Sequence, residues 1–333
     1  MKINSEWQLL DAIKDAVNRK GIKAPDDLNI SIGDDCAVFQ IDSKICGLIT
    51  TDISIQSIHF LRDLISLEDV GFKAMMGNIS DITAMGGLSK FAFISLGIPE
   101  DMSEEDVLSI YDGLIDAANR TEAVIAGGDI SKSRELLINI SIYGEVAQSR
   151  LIRRDGAKRG DVIYVTGSLG DSRAGLEIIH ENDSDTIKPF PELVLKHIRP
   201  IARFDIVNEI INMFNPTSMI DISDGLLSDM RHITEASSVG FNIIEENLPI
   251  SDELISYSLE MKTADTTLQY ALNSGEEYEL LFTSDKRLVE SMSLNINSIP
   301  ITPIGEIIDS GFYLTRNNQP NRISISGFDH FIP

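Results

Sequence analysis

The residues that stand out chemically are aspartates at the ends of apolar runs. GDD occupies 33–35, TTD 50–52, NISD 78–81 and GGD 127–129, and IDISDG runs over 220–225. Asp35, Asp52, Asp81, Asp129, Asp221 and Asp224 thus recur at what read as strand ends and helix starts. In α/β proteins sites form outside those strand ends. A set of carboxylates and hydroxyls suits Mg2+, a hard cation that takes oxygen ligands and keeps several waters. Gathered without cations, such acids would repel one another. The expected ligand is therefore a polyphosphate held through Mg2+. Each turn alone has a plainer reading. Asp beside Gly is ordinary turn chemistry, Ser223 and Asp224 suit a helix cap, and Asp81 suits a solvated helix face. The recurrence at corresponding edges is what favours a site.

Other chemistries find little support. No GxxxxGK[ST] is present, so a P-loop enzyme is excluded. GSLGDSRAG at 167–175 faintly suggests a phosphate loop at a helix start, but a plain strand–turn–helix is the favoured reading. No HExxH occurs, and the histidines (His59, His180, His197, His232, His330) build no Ser-His-Asp set. Cys36 and Cys46 form no CxxC pair, and Cys36 reads as packing. Met75, Met76 and Met85 read as core filling.

The elements that must position the acids alternate between strand and helix. Strands are expected at 44–52, 90–98, 123–129 (ending in a glycine turn), 135–146 and 161–167, with a short one through Ile220. Further strands are expected at 277–284, 300–308 and 311–316. Helices are expected at 66–85, from Ser103 to about Arg120, at 171–180, around 190–199 and 203–214, and within 223–238. Trp7, Leu10, Ile13 and Val17 give the N-terminus an amphipathic helical pattern. ENDSDTIKP at 181–189 reads as a solvated loop. The class is α/β or α+β, with mixed sheets. At about 100–200 residues per domain, 333 residues suggest two, 1–150 and 151–333, parted near 150–160.

The chain carries 28 Lys+Arg against 52 Asp+Glu, a formal net charge of −24. That balance opposes nucleic acid and anionic membrane as partners, and anionic small molecules too unless cations intervene. The first residues, MKINSEWQLLDAIKDAV, do not read as a signal peptide, and with no apolar run of membrane length no span is expected. With the sparse cysteines, this points to the cytoplasm.

Taken in order, the motifs resemble the thiamine-monophosphate kinases, in the superfamily of aminoimidazole ribonucleotide synthetase. The resemblance begins at Ile32-Gly33-Asp34-Asp35-Cys36-Ala37, Thr50-Thr51-Asp52 and His59-Phe60. It continues through Asn78-Ile79-Ser80-Asp81-Ile82, Ala84-Met85-Gly86 and Gly127-Gly128-Asp129. Arg154, Gly156-Ala157-Lys158, Gly160-Asp161, Val165-Thr166-Gly167, Gly170-Asp171-Ser172 and Arg199-Pro200 extend it. Ile222-Ser223-Asp224-Gly225-Leu226, Gly275-Glu276-Glu277-Tyr278-Glu279-Leu280 and Gly327-Phe328-Asp329-His330-Phe331 complete it.

The resemblance implies a two-domain fold, a homodimer joined through the N-terminal sheets, and direct ATP-dependent phosphorylation of thiamine monophosphate to thiamine diphosphate. It further implies that Asp35, Thr50, Thr51, Asp52, Asp81, Asp129, Asp221 and Asp224 hold several Mg2+ ions. Gly128, Arg154 and Ser223 would contact ATP, and His59, Glu276 and Phe328 the thiamine monophosphate. Asp35, Asp52, Asp81, Asp129 and Asp224 would form the catalytic centre. The sequence departs from the family pattern at Gln56-Ser57-Ile58, Ile130-Ser131, Asp155, Ser274 and Glu277. Two alternatives stand beside this one. One is another ATP-using member of the superfamily, such as the synthetase itself or the selenide kinase. The other is a non-catalytic Mg2+- and ATP-binding protein.

Overall fold

The computed structural model describes residues 6–20, 25–181, 190–261, 264–286 and 294–325. Among them two sheets divide the chain. The first has strand order β1-β2-β3-β6-β4-β5, from Leu28–Ile30, Ala37–Gln40, Ile45–Ile55, Leu137–Ala147, Leu88–Ile98 and Val124–Lys132. All its pairs are antiparallel except β4 with β5. The second has order β14-β13-β9-β12-β7-β10-β8. Its strands are Gln319–Arg322, Phe312–Arg316, Gly240–Ile244, Ile299–Ile308, Val162–Thr166, Leu280–Ser284 and Ser218–Asp221, and β11 (Leu294–Ile296) pairs with β12. Only β13 with β9 is parallel, so both sheets are mixed as the pattern predicts. The amphipathic N-terminal segment is a helix, α1 (Glu6–Lys20).

Helices α2 (Leu67–Ala84) and α3 (Glu104–Arg120) cover one face of the first sheet. Their starts follow from capping. The Ser66 hydroxyl accepts from Asp69 N–H, and Ser103 with Asp106 forms a reciprocal capping box. The two helices approach very closely at glycines. A Cβ on Gly71 would sit 2.1 Å from the Ile110 carbonyl oxygen, and one on Gly113 1.8 Å from that of Glu68. α2 is buried on nearly every side, because the second sheet lies on its other flank. Met75, Met76 and Met85 are fully buried, as core filling requires.

The other face of the first sheet is uncovered. Ile49, Ile53, Phe91 and Phe93 lie on it, each more than two-fifths exposed. Phe91 stacks on Tyr143 with ring centroids 5.9 Å apart.

Two expectations need revision. GGD does not end its strand: β5 runs on to Lys132. Gly128 is required there because a Cβ would lie 1.8 Å from the Ile94 carbonyl oxygen on β4. Ser223 and Asp224 do not cap the helix Leu226–Ser237, whose cap residue is Gly225 at φ +113°. The solvated loop of 181–189 falls outside the described residues beyond Glu181.

Candidate functional site

Four predicted residues meet between the sheets. Asp35 precedes β2, Thr50 lies on β3, Asp81 sits in the last turns of α2 and Asp221 ends β8. Carboxylate oxygens of Asp35, Asp81 and Asp221 lie within 4.8 Å of one another. The Thr50 hydroxyl donates to Asp81 Oδ2 (2.5 Å), and the Ser80 hydroxyl to Asp221 Oδ2 (2.6 Å). Arg154 Nε donates to Asp35 Oδ1 at 3.2 Å and faces Asp34 at 3.6 Å. Asp35 Oδ2 is buried with no partner.

This cluster is electrostatically unbalanced. Burial first, and Asp35 second, push Asp221 up to about 8. Burial, then Asp52 and Asp221, push Asp81 far above the usual carboxylate range. Asp35 is raised by burial against the pull of Arg154. Asp34 rises to about 6 through burial and then Asp35. Asp52 reaches solvent at the lip yet stands close to the same acids, and burial and Asp35 raise it too. Burial works against the Arg154 guanidinium, and Asp35 outweighs it. One guanidinium cannot neutralise this many carboxylates. Hard oxygen donors, an orphaned carboxylate oxygen and surplus negative charge are the donor set Mg2+ takes.

A second acidic group adjoins the first. Ligand atoms of Asp224, Asp229 and His232 also fall within 4.8 Å of one another. Asp229 Oδ2 accepts the N–H groups of Ser223 (3.1 Å), Asp224 (3.2 Å) and Gly225 (3.0 Å). It thereby fixes the loop that presents Asp224. Sequence reasoning missed Asp229. Its signal was an acid in the first turn of a helix, where it can meet the free N–H groups.

Thr51 and Asp129 are set apart from these. Strand alternation turns the Thr51 hydroxyl to the uncovered face, where it donates to Ile140 O and accepts from Asn139 and Ser141. Asp129 is exposed and in register with Ser95, which pairs with Asn139. β5 is three strands from β3, roughly 14 Å at the usual spacing. The predicted acids thus divide between a buried cluster and the rim of the sheet.

The loop 274–279 closes one side. Glu276 N–H donates to Ser223 O (2.8 Å) and Tyr278 N–H to Ile222 O (2.9 Å). Glu276 at φ +56° and Tyr278 at φ +52° are left-handed non-glycine residues. Such strain costs on the order of 1 kcal/mol or more each and clusters at functional sites. Lys73 Nζ lies 2.7 Å from Glu276 Oε2. Burial would raise Glu276, but the Lys73 ammonium outweighs it and holds it below its ordinary value. His59 follows β3, and its Nδ1 accepts from Ile55 N–H at 3.0 Å. When neutral, the ring therefore carries its proton on Nε2. Phe328 and the GFDHF run lie outside the described residues.

Two further motifs are resolved. The GSLGD turn is no phosphate loop: Glu277 Oε1 takes the N–H groups of Gly170 (2.8 Å) and Ser172 (3.2 Å). The chain's own carboxylate fills the position an anion would take. Cys36 is 2% exposed, and burial, then Asp81, push its thiol well up, which suits packing and not nucleophilic chemistry.

Comparison with known proteins places the chain in a class first. The family models for AIR synthase related protein match it twice, the N-terminal domain over 33–146 and the C-terminal domain over 158–313. The fold is thus that of the AIR synthase-related proteins, with two mixed sheets and flanking helices.

Particular relatives narrow this. The chain is 40% identical over 287 residues to the thiamine-monophosphate kinase of Aquifex aeolicus, covering 86% of this chain and 88% of that one. It is 37% identical to the enzyme of the same name from Escherichia coli K12, covering 92% and 93%. The solved structure of AaThiL complexed with AMPPCP and TMP superposes with a TM-score of 0.85 at 36% identity, covering 99% of both chains. The chain belongs to the thiamine-monophosphate kinase family.

Proposed function

We propose that this chain transfers the terminal phosphoryl group of ATP directly to the phosphate of thiamine monophosphate, giving thiamine diphosphate and ADP without a phosphoenzyme. The observation that carries the reading is the buried cluster of Asp35, Asp81 and Asp221, with Arg154 paired to Asp35, in a chain 40% identical to such a kinase over 86% of its length. Bringing one phosphorylated molecule to another is an electrostatic problem, and phosphoryl transfer is mostly positioning and charge neutralisation. Mg2+ supplies that neutralisation when bound.

Asp35, Thr50, Asp52, Asp81, Asp221 and Asp224 would hold the ions at the cluster. Thr51 and Asp129 would hold an ion at the rim, so that the set follows an extended polyphosphate. Gly128 would contact the nucleotide, Arg154 would pair with its phosphates as well as with Asp35, and Ser223 would meet it from the loop fixed by Asp229. His59 donates from Nε2 to the acceptor's phosphate, while Glu276 faces its cationic rings. Phe328, outside the described residues, is a further proposed contact of thiamine monophosphate.

Residues 1–150 and 151–333 are the proposed domains, the first carrying the metal site and dimer contacts, the second completing the nucleotide and acceptor sites. Uncovered apolar residues on the first sheet support a homodimer joined there. The charge of −24 argues against nucleic acid or membrane partners. No helix among the described residues is long and apolar enough to cross a membrane. The proposed location is the cytoplasm.

The test is a product assay with ATP, Mg2+ and either thiamine monophosphate or thiamine. Thiamine diphosphate and ADP formed from the monophosphate alone establish reaction and acceptor. ADP with no thiamine diphosphate moves the chain to another acceptor within the superfamily. Mg2+-dependent ATP binding without turnover makes it a binding protein.

A further inference from the structure

Lys73 is a buried cation on α2, 7% exposed, and none of the motifs above includes it. Its ammonium donates to Glu276 Oε2 at 2.7 Å and contacts His197 Nε2 at 3.1 Å. An ammonium has no acceptor, so His197 Nε2 must offer a lone pair. The ring proton then sits on Nδ1, 3.2 Å from the Ser172 hydroxyl, to which it donates. His197 is 1% exposed, and burial, then Lys73, hold it neutral down to about 3. Ser172 is itself fixed from behind, its N–H bonded to Glu277 Oε1 at 3.2 Å.

The chain Glu277–Ser172–His197–Lys73 ends on one oxygen of Glu276. The other, Oε1, makes no hydrogen bond among the described residues, and the Glu276 side chain is 32% exposed. Its backbone is strained at φ +56°. An ordinary structural ion pair requires neither that strain nor an open oxygen. Lys73 stands eight positions before Asp81 on the same helix, roughly 12 Å at 1.5 Å per residue. The helix therefore sets the distance between Glu276 and the acidic cluster.

We propose that Lys73 is a positioning residue of the acceptor pocket, aiming the free oxygen of Glu276 at thiamine monophosphate while neutral His197, braced by Ser172, holds the ammonium in place. This rests on the reading that Glu276 meets the acceptor.

Steady-state kinetics of the full chain test it. Lys73→Met is expected to raise KM for thiamine monophosphate about 10- to 100-fold, the value of a lost hydrogen bond to a charged group. KM for ATP should stay within about twofold, since ATP is held elsewhere. Lys73→Arg should recover most of the loss, and adding Lys73→Met to Glu276→Gln should cost almost nothing further, because one removes what the other aims. An unchanged KM for thiamine monophosphate, an equal rise for both substrates, or full additivity in the double variant overturns the proposal. Should Lys73→Met not fold, Ser172→Ala and His197→Asn loosen the ammonium from behind and must show the same selective rise. An unchanged KM in both overturns it equally. A wild-type chain that makes no thiamine diphosphate overturns the parent reading and this one with it. Normal wild-type turnover with indifferent variants overturns this one alone.

Discussion

Replacing Asp221 by Asn should make the metal-free protein more stable and the enzyme inactive. Asp221 is 1% exposed, and its pKa is lifted from 3.8 to about 8 by burial and then by Asp35. A carboxyl whose folded pKa lies above its unfolded one keeps its proton longer when folded. The stability this group contributes is thus highest below about pH 4 and declines as pH rises through the window up to about 8. At about 1.4 kcal/mol per pKa unit, the burden at neutral pH reaches about 4 kcal/mol. Neighbouring acids share the proton, so removing one charge recovers part of that, about 1–3 kcal/mol. Asn keeps an oxygen for the Ser80 hydroxyl and adds no new gap. For a chain of this size that is roughly 2–6 °C in Tm. Thermal unfolding in a chelator, at neutral and at mildly alkaline pH, measures it. The variant should melt higher than wild type, by more at alkaline pH, gain less from added Mg2+, and lose activity by about 100-fold or more. A lower metal-free Tm at both pH values, or an undiminished response to Mg2+, would refute the argument that cations balance this cluster.

Glu279 predicts the opposite sign. It is fully buried, and burial opposes its charge, but Arg203 and then Lys196 hold it down to about 2. Its contribution is present above an unfolded value of 4.5 and is lost as pH falls through about 2. Glu279→Gln should cost about 3–5 kcal/mol, read as a lower denaturant midpoint, because two cations lose their counter-charge. Gly128→Ala should force β5 away from the Ile94 carbonyl, costing about 1–3 kcal/mol and raising KM for ATP. Phe93→Glu places a charge on the uncovered face, where Phe93 is 48% exposed. Light scattering should then show a monomer where the unmodified chain shows a dimer, while metal-free Tm changes little.

What the sequence made legible was local. The Ser103 capping box needs only three residues of separation, and α2 declared itself by apolar spacing and Ser66. The acids of the cluster were legible for a different reason. Its carboxylates outnumber the cation that faces them, Arg154, so they show in the sequence as recurring Asp-rich turns with few matching Lys or Arg. Gly127-Gly128 hid the continuation of β5, since residues without side chains carry no alternation. The short edge strands β1, β11 and β14 were too brief for a period to register. The supports of the site were invisible for want of locality. Lys73 meets Glu276 across 203 positions, Ser172 meets Glu277 across 105, and Arg203 meets Glu279 across 76.

That contrast separates two kinds of acid within one motif. In Gly275-Glu276-Glu277-Tyr278-Glu279-Leu280 the three glutamates look alike in sequence. The fold gives Glu277 Oε1 to a helix start and buries its Oε2 without a partner, and it gives Glu279 to Arg203 and Lys196, whereas Glu276 keeps its unbonded oxygen on a partly exposed side chain. Bonds to Ser223 O and Ile222 O, and the Lys73 ion pair, help hold the strained loop together. A substitution at Glu277 or Glu279 should therefore be felt first as lost stability, and one at Glu276 first as lost recognition of the acceptor.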